Sequence, residues 1–576
     1  MGGFILINKQ EGVSAQKVQE DYCESLEVFK KKGLHLKRRI VKDTYILYVY
    51  NKYSFKQENI LIFENDDFIV STGTLFYRGE TNINALKSLF NDFLEDKESV
   101  NLHLRGNFTV LLSIDKRLFC FNDFIGLYRI YCSKDLNIIS SSFLAVSRAI
   151  PNKTIAKQEL YEYLFHGTFY GKKTLFKDIM LLDSTYYWLL TPQKEKFKKN
   201  VTPFDNNDYD NFDDSVDNVI KNLTDYFSIL KNNFQTITSA LTGGYDSRLM
   251  YSLAKKLGIT PDLHVSGPEN SKDVKVAQYI AKNERIKIHH ENREKTQKIS
   301  KEEYPFIIEK NFYDLDGLGI SGVFHNRIAI NEKVKNSSKT QLFINGGGGE
   351  IYRDFWNLPN RKFIRVKDFL VSKYDISDYS ICTNVFNKNQ YFKNLQEKIK
   401  DELSLEQDIL SRKQVQQLYP FFRLRYWQSA TNSINNQFAN YITPFCDPIL
   451  VFESFTIPLK NKCLGRFEAA LIKKTDKNVA KYMSGYGFDF YSNPKMKRKL
   501  KNILVRNFPI QLRPYVRKRR IYKKQSFPYY LKKEMLENIM DLDQPSIEKF
   551  INTEEILDPT MLSRALTIEL LINDYF

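Results

Sequence analysis

The stretch Gln235–Ser247, QTITSALTGGYDS, decides how the rest of the chain is read. A short β-type run ends at Leu241, two adjacent glycines follow, and from Ser247 the pattern SRLMYSLAKKLG takes a helical period. Gly243 and Gly244 let the backbone curl tightly and bring its N–H groups forward, and the start of the helix adds partial positive charge. Thr242 and Ser247 add hydroxyl donors, and Asp246 is a carboxylate able to hold the magnesium that accompanies a nucleotide triphosphate. Leu241 to Ser247 therefore reads as a pyrophosphate-binding loop. The plainer alternative is a strand-to-helix turn capped by Asp246 and Ser247.

Working outward, a helix is expected from Ser215 to about Leu230. Strand PDLHVSG, helix SKDVKVAQYIAKN and strand KIHH follow the loop, and strand and helix alternating at this spacing predicts βαβ units on a parallel sheet. A later strand, TQLFIN, runs into GGGGE, and from Glu402 the chain looks mainly helical. Residues 1–195 are different. Runs such as TYILYVY, FTVLLSI and RLFCF predict strands, with helices near Ile83–Phe93 and Lys157–Leu164. Between the halves lies a polar stretch rich in Asn and Asp, which sets the boundaries as a domain 1–195, a linker 196–212 and a second domain 213–576.

With 576 residues, 42% hydrophobic, a mostly disordered chain is excluded and two or more domains are expected. No run reaches the roughly 18 apolar residues of a spanning helix, so a cytoplasmic, soluble protein is expected. Six dispersed cysteines read as reduced thiols, and seven scattered histidines give no zinc pattern. The net charge of +18 is local. Thirteen basic residues and no acid fall between Lys495 and Lys524. That run has three readings: a solvated surface, a patch for nucleic acid or an anionic membrane, or a contact with an anionic or peptide substrate.

Strand, Thr, GG, Asp-Ser and helix in this order resemble the SGGxDS loop of ATP pyrophosphatases. LHVSG followed by Asp273 and AQYIA is similar to the second βα unit of the asparagine synthetases, FINGGGGEIYRDF (343–355) to their acidic glycine loop, and YITPFCDPIL (441–450) to their PFLD segment. LRGNFTVLLSIDKRLFCFNDFIGLYRIY (104–131) is similar to their glutaminase domain. The resemblance implies an α+β, Ntn-type αββα sandwich followed by an α/β parallel-sheet, HUP-like ATP pyrophosphatase domain with a helical C-terminal part. It implies ATP and Mg2+ as cofactors. Leu241, Thr242, Gly243, Gly244, Asp246, Ser247, Ser266, Asn345 and Gly346 would bind nucleotide, and Asp246 and Glu350 would hold metal, Glu350 standing where the family has aspartate.

The chain also departs from that pattern. Gly2 stands where the family's glutaminase has its cysteine nucleophile, and Thr72, Gly73 and Thr74 replace its Asn-Gly-Glu. Asn440 and Ile442 replace an acid and an arginine before the PFLD segment, and Gly347 replaces a loop acid. The family's transition-state lysine falls on SGYGF, which has none, leaving Lys473 and Lys481 as candidates. The expectation is an ATP-dependent ligase without its own glutaminase, joining a carboxylate to ammonia or an amine, with a peptide or natural-product intermediate as one substrate class. The β-lactam synthetases and lasso-peptide cyclases are similar in this respect. Alternatives are an ammonia-using asparagine synthase, a tRNA-modifying pyrophosphatase and an inactive scaffold. Nucleic acid ranks low as a partner, and a homo-oligomer is left open.

Overall fold

The computed structural model describes residues 1–9, 12–54, 57–200, 211–292, 298–327, 340–516 and 527–576. Alternation in the first strand, β1 (Gly3–Asn8), sets the N-terminal layers. Phe4 and Leu6 face one way, Ile5 and Ile7 the other, and all four are fully buried, so the strand is covered on both faces. It lies in an antiparallel sheet with β2 (Leu36–Val41), β3 (Tyr45–Tyr50), β8 (Tyr131–Ser133), β9 (Ile138–Ser140) and β10 (Ile179–Leu181), ordered β10-β8-β9-β1-β3-β2. A second antiparallel sheet holds β4 (Ile60–Ile62), β5 (Phe68–Tyr77), β6 (Leu104–Ile114), β7 (Arg117–Asn122), β11 (Tyr186–Thr191) and β12 (Glu195–Lys198), ordered β12-β11-β7-β6-β5-β4.

Phe4 and Leu6 join Val70, Leu111 and Cys120 in an apolar layer between the two sheets. Ile5 and Ile7 pack outward with Val28 and Phe29 of helix Cys23–Lys31. On the far side, Ile69, Val110 and Leu112 pack on Leu86, Leu89 and Phe90 of helix Asn82–Glu95. The result is four layers, helix, sheet, sheet, helix. β12 carries the second sheet through Lys198, into the stretch expected as linker; residues 201–210 lie outside the described residues, and the next helix, Phe212–Asn233, starts at once.

The C-terminal half is built on a wholly parallel sheet of β13 (Ile237–Ala240), β14 (Asp262–Ser266), β15 (Ile288–Glu291), β16 (Leu342–Ile344) and β19 (Tyr441–Ile442). The ribbon β17 (Phe363–Arg365) and β18 (Ile409–Ser411) lies apart from it. The parallel order is β15-β14-β13-β16-β19. The chain moves outward in one direction from β13 and then returns to its other side, so the direction reverses between β13 and β16, where a crevice opens at the strand ends. The helical reading after Glu402 misses β18 and β19, each too short to leave an alternating pattern. All six cysteines are free thiols, and no helix among the described residues is long and apolar enough to cross a membrane.

Buried polar groups tie the halves together. The Lys32 ammonium donates to Asp316 Oδ1 at 2.6 Å, Ser142 Oγ at 3.0 Å and Gln437 Oε1 at 3.0 Å, so each of its three protons has an acceptor. Asp316 also accepts from the N–H of Phe143, at the start of helix Phe143–Arg148. Beside this, Lys52 donates to Asn440 Oδ1 and Thr74 Oγ1, and Thr74 accepts from Tyr441 N and donates to Asn436. A β-carbon on Gly2 would fall 2.3 Å from the Gln437 carbonyl oxygen and 2.8 Å from that of Asn51. The C-terminal half, through Gln437, closes directly over position 2.

Asn440 and Ile442, expected beside an acceptor substrate, are fully buried here. Asn440 spans the seam between Lys52 and the Gln341 carbonyl, and Ile442 is in the apolar core, because β19 is roofed by the N-terminal domain. Breaking the Lys32–Asp316 pair strands a buried ammonium, so Asp316→Ala is expected to lower stability by about 3–5 kcal/mol, read as a shift in the denaturant midpoint. Exchanging the exposed Lys17–Asp21 pair for alanines is expected to leave the midpoint essentially where it is.

Candidate functional site

The loop after β13 and the loop after β16 meet at the reversal point. Leu241 N donates to the His264 carbonyl at 2.9 Å, anchoring the loop to β14. Ser247 Oγ accepts from Thr242 N at 3.0 Å and lies 2.9 Å from Thr242 Oγ1, while Gly244 N donates to Thr242 Oγ1 at 3.2 Å. Gly243 N donates to Asp273 Oδ1 at 3.1 Å, so the second helix, Lys272–Glu284, braces the loop. Gly244 is the N-cap of helix Tyr245–Lys256 and no side chain caps that helix. The first-turn N–H groups are thus free of a side-chain acceptor at the positive end of the dipole.

From the other side, Asn345 N donates to the Ile442 carbonyl at 2.8 Å and its Oδ1 accepts from Gly347 N at 3.0 Å. A β-carbon on Gly346 would lie 3.5 Å from Ser247 N, which shows how closely the loops abut. One on Gly349 would lie 2.1 Å from Asp246 Oδ1, so that position must stay glycine for the carboxylate to remain where it is.

The two metal candidates converge on a guanidinium. Arg353 Nη2 lies 2.9 Å from Asp246 Oδ1 and 3.2 Å from Glu350 Oε1, and Arg353 Nε lies 2.8 Å from the buried Glu468 Oε2. Tyr419 donates to Glu350 Oε2 at 2.5 Å. Burial pushes the Asp246 carboxyl up against the pull of Arg353. It pushes Glu468 well up, and the charge of Asp246 adds to this. Burial works against the Arg353 cation too, but Glu468, Asp246 and Glu350 outweigh it and hold its pKa well above the ordinary value. One cation is what lets three acids share this space.

The remaining candidates lie further off. Ser266 ends β14 and donates to Glu291 Oε2 at 2.7 Å. Lys473 and Lys481 are exposed, their ammonium groups 4.3 and 5.2 Å from the Tyr491 ring centroid; Lys473 lines a cavity that also touches Tyr245 and Arg498, and Lys481 does not line it. The SGYGF segment does reach it: Gly485 N donates to the Gly243 carbonyl at 3.1 Å. Arg353, Glu468 and Tyr419 went unread in the sequence. Only Arg353 left a signal, three residues after Glu350 on what is one helical turn. Beside the cluster an open cleft of about 480 Å³ is lined by Tyr245, Glu350, Arg353, Tyr486, Arg498 and Lys501, among others.

No protein-family model and no curated protein matches the chain. Among solved structures it is similar to a glutamine phosphoribosylpyrophosphate (PRPP) amidotransferase from B. subtilis complexed with ADP and GMP, at 11% identity and a TM-score of 0.23. The match covers 50% of this chain and 65% of that one, and a likeness at this level carries no argument about activity.

Because the folded pKa of Glu468 is raised, the native state holds its proton more tightly than the unfolded chain, and the stability this contributes at low pH is lost as pH rises through the folded pKa. Glu468→Gln lacks that loss. Its melting temperature relative to the unaltered protein is therefore expected to improve as pH rises above the ordinary glutamate range; a difference independent of pH would contradict the cluster electrostatics.

Proposed function

We propose that the protein is an ATP-dependent ligase of the asparagine synthetase type that forms a carbon–nitrogen bond. The observation that carries this reading is the meeting of the Leu241–Ser247 loop and the Asn345–Glu350 loop at the reversal point of a parallel sheet, with Asp246 and Glu350 on one cluster. Backbone N–H groups at the start of helix Tyr245–Lys256 would receive phosphate oxygens, and Thr242 and Ser247 would add hydroxyl donors. The donor set fits magnesium, a hard cation that binds through one or two carboxylates plus substrate phosphates; Asp246 and Glu350 would hold it. When bound, it supplies charge neutralisation across the phosphates. Among the described residues no group of three or more His, Cys, Asp or Glu forms a metal cage.

In the reaction a carboxylate oxygen attacks the α-phosphate of ATP and pyrophosphate leaves. An amine nitrogen then attacks the acyl-adenylate, AMP leaves, and the nitrogen gives up a proton. Arg353, already paired with three carboxylates, keeps Asp246 and Glu350 in place, while Arg498 and Lys501 on the cleft wall offer positive charge to an anionic substrate. A cleft of this size and charge suits a carboxylate larger than aspartate.

The N-terminal layers correspond, in this reading, to an Ntn-type domain that no longer hydrolyses glutamine. Support comes from the seam: Thr74 is committed to Asn436 and Tyr441, and position 2 has no room for a side chain.

ATP and pyrophosphate exchange across a panel of carboxylates, peptides included, tests the reading. Asp246→Asn is expected to lower exchange by at least about a hundredfold while the protein still folds cooperatively. Normal exchange in that variant would place the chemistry elsewhere, and efficient asparagine formation from aspartate and ammonia would return the protein to ordinary asparagine synthesis. Glutamine should yield no glutamate above background, and Gly2→Cys should not change this, since its β-carbon meets backbone rather than a movable side chain.

A further inference from the structure

The basic segment contains a helix, Met496–Asn507, none of whose residues is buried. One of its edges is held to the protein. Arg498 donates to Tyr245 Oη at 3.0 Å and to the Leu464 carbonyl, and Arg506 pairs with Asp354. At 100° per residue, Met496, Leu500, Ile503 and Leu504 fall within an arc of about 100° on the opposite side. They are 67%, 55%, 53% and 73% exposed, so four large apolar side chains stand in solvent on one face. Lys497 and Lys499 flank that face and are exposed. Between Lys495 and Val516 there are seven basic residues and no acid, and beyond the helix Leu512 and Tyr515 continue the exposed apolar surface at 49% and 60%.

We propose that this face docks on an anionic phospholipid bilayer, lying in the interface with its leucines among the upper acyl chains and its lysines at the headgroup phosphates. An apolar stripe bordered by Lys and Arg, on a helix of low overall hydrophobicity, is what an interfacial helix needs: apolar area to bury and positive charge to meet anionic lipid. The charge pattern selects this occupant. A second copy meeting the same face would oppose lysine to lysine across the contact. A nucleic-acid backbone would find leucine and isoleucine, which offer phosphates nothing, at the centre of the face. The inner edge supplies Arg498, Lys501, Asn502 and Val505 to the cleft beside Arg353, so docking would bring that cleft close to the lipid–water boundary.

The test is flotation of the full-length protein with vesicles of phosphatidylcholine alone and of phosphatidylcholine with one-third phosphatidylglycerol. Binding is expected to the anionic vesicles only, weakening as salt is raised. The double variant Leu500→Glu and Leu504→Glu should bind at least about tenfold less while melting normally, since neither side chain is buried, and Lys497→Glu with Lys499→Glu should behave alike. Failure of the unaltered protein to float with anionic vesicles would overturn the proposal, as would equal flotation of the Leu500→Glu and Leu504→Glu variant. Retention on a DNA duplex that survives those leucine changes, without flotation, would assign the segment to nucleic acid instead. Pyrophosphate exchange without vesicles should be unaltered in the leucine variants, so the outcome is independent of the ligase reading.

Discussion

The Lys32 ammonium, wholly enclosed where the two halves join, is the constraint on which the assembly rests. An enclosed charge is tolerated only if every one of its protons finds an acceptor and an opposite charge stands close by. Here the carboxylate comes from Asp316 and the two neutral acceptors from Ser142 and Gln437, one in each half of the chain. No member of the set can shift without exposing another to an unmet hydrogen bond. The N-terminal sandwich and the parallel sheet are thereby held in one register, and the Lys52, Thr74, Asn436 and Asn440 network follows from that register.

The same rule operates at the strand ends with the charges reversed. Three acids gather round Arg353, more negative charge than one guanidinium balances. Such a cluster costs stability in isolation, and proteins concentrate costs of this kind where a ligand or a proton is handled. The loops are consequently braced at several points: Asp273 on Gly243, Gly485 on Gly243, and Gly346 against Ser247. Geometry that would otherwise be loose is held by one side-chain and one backbone hydrogen bond to Gly243 and by the close packing of Gly346 on Ser247.

The parallel core was legible because each βα unit carries its own local pattern, an apolar strand, a turn and a 3.6-residue period. Asp246 and Glu350 could be named for the same reason, each sitting beside glycines at a strand end. What brings them together could not be read. Glu468 lies more than a hundred residues downstream on an ordinary helix, Arg466–Thr475, with no mark to separate it from a surface acid. The position of Asn440 and Ile442 in a motif points to an acceptor pocket, whereas their burial depends on the N-terminal layers packed above them. Residues 196–198 of β12 read as linker because an edge strand of Glu and Lys has the composition of one.

The two arginine fastenings of the Met496–Asn507 helix connect it mechanically to the crevice. Arg498 grips Tyr245, the first residue of the helix that follows the Thr242–Gly244 turn, and Arg506 grips Asp354, the neighbour of Arg353. The eight residues from one fastening to the other span about 12 Å of helix, so the rod sets the spacing between the two residues it grips.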